Sequence, residues 1–151
     1  MTRVLIAVDA SATSVRAAEA AVRLLGPGAQ FLAINVAPAV ASAVWATVGP
    51  YPLVAVPSAA ALDYDESENR RMTQTAERAA DRLAGEAGVP NPVAVGDVGD
   101  PVEAILHAAQ EHRVDLIVLG AEHRGFWGRL LEGSVANDVV RQAVVPVLVV
   151  P

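Results

Sequence analysis

Short apolar runs alternate with longer amphipathic stretches along the whole chain, and this alternation limits the fold more than any other feature. The runs are Arg3–Val8 (RVLIAV), Gln30–Val36 (QFLAINV), Asp115–Gly120 (DLIVLG) and the closing VPVLVV from Val145 to Val150. A strand that is apolar on successive residues has no face to give to water, so both faces need cover. Strands of this kind separated by helical stretches predict a parallel sheet with helices packed on it.

The intervening stretches carry helical spacing. Thr13–Leu25 places Val15, Ala18, Val22 and Leu25 on one stripe and ends at Gly26-Pro27-Gly28. Asp63–Gly88 reads as a second helix, with Asp63 and Glu66 as a capping pair. Its buried stripe is Met72, Ala76, Ala79, Leu83 and Ala87, and its solvated face carries Arg70, Arg71, Glu77, Arg78, Asp81 and Arg82. Pro92–Val95 is a short strand. Asp100-Pro101-Val102-Glu103 combines an N-cap acid, a first-turn proline and an early glutamate, and starts a third helix with Val102, Ile105, Leu106 and Ala109 facing inward. A fourth helix runs from Ser134 to Ala143. Pro146 has no N–H, so the last strand begins at an edge or outside the ladder. The sum is five strands and four helices in one domain of 151 residues. Between the second strand and second helix, Ala37–Leu62 holds no charged residue, several prolines, Trp45 and Tyr51. It is expected to be a loop packed on the sheet, or a lid or contact surface.

Composition removes several function classes. There is no cysteine, which excludes disulfide scaffolds, thiolate metal sites and thiol nucleophiles. All 11 basic residues are arginine, so a Walker A loop and a Schiff-base enzyme are also excluded. The formal net charge of -6 argues against nucleic-acid binding. The first apolar run is too short for a secretory signal and no run is long enough to span a bilayer, so a cytoplasmic protein is expected. His107 and His112 read as surface residues on or beside the third helix. Their spacing does not put a metal pair on one helix face.

Ligands of open α/β sheets bind beyond the carboxyl ends of the strands, where strand order reverses. The first strand ends in Val8-Asp9-Ala10-Ser11, and the fourth leads into GAEHRGFWGRLLEGSV from Gly120 to Val135. Gly133-Ser134 opens the last helix, where free N–H groups, the helix dipole and a hydroxyl suit a phosphate. Equally, Ser134 caps the helix and the glycines shape a turn. Ser11, Thr13 and Ser14 faintly suggest a flavin phosphate loop, but its usual glycine is missing. A receiver domain of similar topology needs a late lysine, which this chain lacks.

These residues resemble the universal stress protein family, across nearly the whole chain. The markers are Val4–Val8 followed by Asp9-Ala10-Ser11, the VDLIVLG run ending at Gly120, Gly133-Ser134-Val135, and the closing PVLVV. The resemblance implies a three-layer α/β/α sandwich on a five-stranded, mainly parallel open sheet of Rossmann-like order 3-2-1-4-5. Nucleotide-binding members carry the pattern G-x2-G-x9-G-[ST]. This chain keeps Gly120 and Gly133-Ser134 at the expected separation and has His123 at the second glycine.

Carried over residue by residue, the resemblance implies binding of ATP or a related adenine nucleotide and leaves room for Mg2+. Val8, Asp9 and Val36 would meet the adenine or ribose. Gly120 would lie under the ribose or first phosphate, and Ser134 and Val135 would hold phosphates. His123 would either obstruct the outer phosphates or donate to them, with Arg124 beside it. A regulatory stress-response role with little or no hydrolysis follows. The alternative is a dimeric interaction module with a vestigial pocket, and a small enzyme acting on adenylates is a minor third reading. The resemblance further implies a homodimer formed through the last strand, Val147–Val150, and leaves room for an unknown protein partner. No membrane or nucleic-acid partner is expected.

Overall fold

The computed structural model describes residues 1–39, 59–121 and 135–151. Its elements in chain order are β1 (Arg3–Ala7), α1 (Ala12–Leu25), β2 (Gln30–Ala37), α2 (Ala59–Glu86), β3 (Val93–Val98), α3 (Pro101–Glu111), β4 (Leu116–Gly120), α4 (Val135–Gln142) and β5 (Val147–Val150). Every strand pairing is parallel and the order is β3-β2-β1-β4-β5. This is the expected architecture. The four apolar runs lie in β1, β2, β4 and β5.

Alternate side chains of each strand enter different layers. Val4, Ile6, Val8, Phe31, Ala33 and Val118 pack under α1 and α2. Leu5, Leu32, Ile34, Val36, Ile117 and Leu119 pack under α3 and α4. Leu5, Ile6, Ile34 and Ile117 are fully buried, and each such side chain contributes about 1.5–3 kcal/mol by leaving water. The helical sides of the two layers differ. Towards the sheet, α1 buries Ala17, Ala18 and Ala21, while α2 and the turn after it bury Ala80, Ala84 and Ala87. Val15, Val22, Leu25 and Leu83, expected on the buried stripes, sit at the flanks of this alanine surface and are only partly buried.

Small residues let the backbones come close. At Gly96 in β3, a Cβ would run into the Thr73 carbonyl and Glu77 N–H of α2. Glycine is required there by the approach of the helix, a demand invisible in the strand pattern. β3 also runs three residues past the predicted Val95. Pairing of Asn35 to Gly96, Val36 to Asp97 and Ala37 to Val98 extends it, although glycine and aspartate are poor strand formers.

α2 starts at Ala59, so Asp63 stands inside the helix and is not its cap. Ala59-Ala60-Ala61-Leu62 is a run of strong helix formers that carries the helix upstream. The start of α3 is as predicted: the Asp100 carboxylate accepts the Glu103 N–H at 3.0 Å and Pro101 lies in the first turn. Among the described residues, no helix is long and apolar enough to cross a membrane.

Candidate functional site

Strand order reverses between β1 and β4, so the crevice lies above their carboxyl ends, beside the β1–α1 loop. The β1–α1 loop holds itself in place. The Asp9 carboxylate accepts the Ser11 N–H through Oδ1 at 2.8 Å. The Ser11 hydroxyl caps α1 by accepting the Ser14 N–H at 3.1 Å. The Ser14 hydroxyl accepts the Asp9 N–H at 2.9 Å and donates to the Ala7 carbonyl at 3.5 Å. Ser14 is buried, so its hydroxyl is part of the frame, while Asp9 is half-buried at the loop's surface. The result is a carboxylate fixed through one oxygen, Oδ1.

Gly120 ends β4 beside this loop. A Cβ there would lie 2.8–3.0 Å from the backbone of Thr13 and Ser14. The missing side chain therefore lets the first turn of α1 rest on β4, and this contact brings the Asp9 loop to the switch point. β1 separates from β2 at the same level. Their register stops at Ala7 opposite Ile34, and the last ladder bond runs from the Val8 N–H to the Ile34 carbonyl at 2.8 Å. The Val8 carbonyl then accepts from the Asn35 side-chain amide at 2.7 Å. A carbonyl accepts only, so the amide nitrogen is the atom that faces it.

Of the predicted site residues, Val8, Asp9, Val36 and Gly120 come together at the carboxyl ends of three adjacent strands. Val135 opens α4. The side chains of Val8, Val36 and Val135 are buried in the core, at 2%, 5% and 8% exposure, so these residues can present only main-chain atoms to a ligand. His123, Gly133 and Ser134 lie outside the described residues, as do residues 40–58 of the uncharged segment. The sequence pattern did not single out Asn35, which looks there like an ordinary strand residue. Its low strand propensity inside QFLAINV was the available signal.

The described half of the crevice gathers a half-buried carboxylate, main-chain groups at a strand end and the positive end of α1. A cavity of about 380 Å³ exists at the opposite end of the sheet, lined by Arg3, Gln30, Leu32 and the end of α3. Arg3 donates to the His112 carbonyl at 3.2 Å and so serves the carbonyl end of the helix. Among the described residues, no three histidine, aspartate or glutamate side chains cluster to hold a metal.

The model of the Universal stress protein family matches residues 1–151. A universal stress protein of Mycobacterium tuberculosis is 33% identical over 153 aligned positions, covering 97% of this chain and 94% of that one. A universal stress protein of Thermus aquaticus is 39% identical over 87 residues, covering 58% of this chain and 63% of its own length. Among solved structures, a universal stress protein in complex with cAMP is similar at 26% identity and a TM-score of 0.61, covering 99% of this chain and 97% of that one. The sheet order, the family model over residues 1–151 and the Mycobacterium tuberculosis relative over 97% of the chain agree: the chain belongs to the universal stress protein family.

Proposed function

We propose that this chain binds an adenine nucleotide, with ATP the nucleotide expected, at the crevice between the β1–α1 and β4–α4 loops. It would act as a regulatory protein of the stress response, not as an efficient hydrolase. One observation carries the reading. The switch point holds a fixed carboxylate at Asp9 and a main chain at Val36 released from the β1 ladder. The similar structure solved with cAMP supports an adenine ligand. Asp9 Oδ2 would accept a ribose hydroxyl, and the Val8 and Val36 main chains would meet the base. Gly120 would lie under the ribose or first phosphate. His123, Gly133, Ser134 and Val135 would face the phosphates, with Mg2+ neutralising their charge. With Asp9 assigned to the ribose, no residue is an evident base for in-line attack by water, so hydrolysis would be slow.

The test is to denature freshly purified protein and identify the released small molecules by chromatography and mass spectrometry, then to titrate ATP with Mg2+ and cAMP. Near-stoichiometric adenine nucleotide, or saturable binding of either, is expected. Absence of both overturns the reading. It would favour the second one, motivated by His123 in place of a motif glycine: an interaction module with a vestigial pocket, whose uncharged Ala37–Leu62 segment meets a protein partner. Under either reading the assembly proposed is a homodimer through Val147–Val150. β5 is an apolar edge strand, and its Val149 is 36% exposed.

A further inference from the structure

We propose that Asn35 is a positioning residue that opens the base site by holding β1 and β2 apart at their last rung. The proposal rests on the adenine reading and adds the device that makes it selective.

In a parallel ladder the bond after Val8 N–H to Ile34 carbonyl would run from the Val36 N–H to the Val8 carbonyl. The register stops one step short, at Ala7 opposite Ile34. The Val8 carbonyl is taken instead by the Asn35 amide at 2.7 Å. Successive residues of a strand turn their N–H and carbonyl to opposite neighbours. The Ala37 carbonyl faces β3, where it accepts the Gly99 N–H at 2.9 Å, and the Ile34 carbonyl faces β1. The main-chain groups of Val36 therefore face the β1 side, where β1 has already turned away into the Asp9 loop. They form a donor and an acceptor on one strand edge, at the rim of the crevice. Adenine offers the complementary pair, an N1 acceptor and an N6 amino donor. Guanine and hypoxanthine offer the reverse, an N1–H donor and an O6 acceptor.

The side chain at position 35 sets which partner Val36 has. With no donor there, the Val8 carbonyl has the Val36 N–H as its nearest substitute, and the ladder closes by one rung over the base site. A polar residue of low strand propensity inside an otherwise apolar strand is the kind of local inconsistency that marks function.

The experiment uses the full chain and two measurements. Amide hydrogen exchange by NMR, without nucleotide, compares Val36 with Ile34. Val36 is expected to exchange at least about tenfold faster, because it lacks a ladder partner. Titration then compares wild type with Asn35→Leu, similar in size but unable to donate. The folded variant is expected to protect Val36 to the level of Ile34, to bind AMP about tenfold more weakly, and to lose the preference for AMP over IMP. A Val36 amide as protected as Ile34 in the wild type overturns the proposal. So does a folded variant that keeps AMP affinity within about twofold and keeps the preference. If the wild type binds no AMP, the adenine reading fails on its own. The exchange comparison then decides whether Asn35 interrupts the ladder.

Discussion

Ser14 lies in the first turn of α1 at 5% exposure, and its hydroxyl accepts the Asp9 N–H at 2.9 Å. Ser14→Ala leaves that N–H without its partner in a part-buried loop. A loss of about 1–3 kcal/mol is expected, read as a lower urea midpoint with an unchanged slope. Gly120 makes a second test, because an added Cβ meets Thr13 and Ser14 backbone that no side-chain rotation can clear. Gly120→Ala should cost about 1–3 kcal/mol by overpacking and should weaken nucleotide binding by displacing the Asp9 loop. An unchanged urea midpoint would show that α1 shifts freely on β4. The sequence identified Asp9 and Gly120 as candidates by their place at strand ends. It could not show that glycine at 120 answers to a helix, or that Asn35 reaches a carbonyl 27 positions earlier. Both depend on cross-element distances that appear only when the sheet is assembled.

Element by element, the strands were legible because burial on both faces leaves an unbroken apolar run, and α3 because its cap is chemical and local. The start of α2 was not, since Asp63 and Glu66 offer a cap pattern that the alanines before them override. β3 was under-read for a related reason: pairing with β2 outweighs the poor propensities of Gly96 and Asp97. That strand also carries its own protection. The Gly99 N–H points inward to Ala37, so the neighbouring Val98 N–H points out of the sheet, and the Asp97 carboxylate accepts it at 2.7 Å. Asp97→Ala is expected to bare this edge and produce concentration-dependent association through β3, measurable by light scattering. A variant as monodisperse as the wild type would remove the guarding role.

Across the whole molecule the two sheet edges are treated differently. β3 carries a charge and a glycine, while β5 reads VLVV with Val149 partly exposed. The expected solution mass is twice the 15.6 kDa of one chain. Val149→Lys should reduce it to that of one chain by placing an ammonium in an apolar edge. A wild-type mass of one chain at micromolar concentration would count against the dimer. The alanine surface between the sheet and α1 and α2 has a last consequence, for how a bound ligand is felt elsewhere. Ala17, Ala18, Ala21, Ala80, Ala84 and Ala87 have no χ angle to change. Those six positions cannot relay a change by flipping rotamers. Along them a change at the Asp9 loop can pass only as a shift of helix backbone.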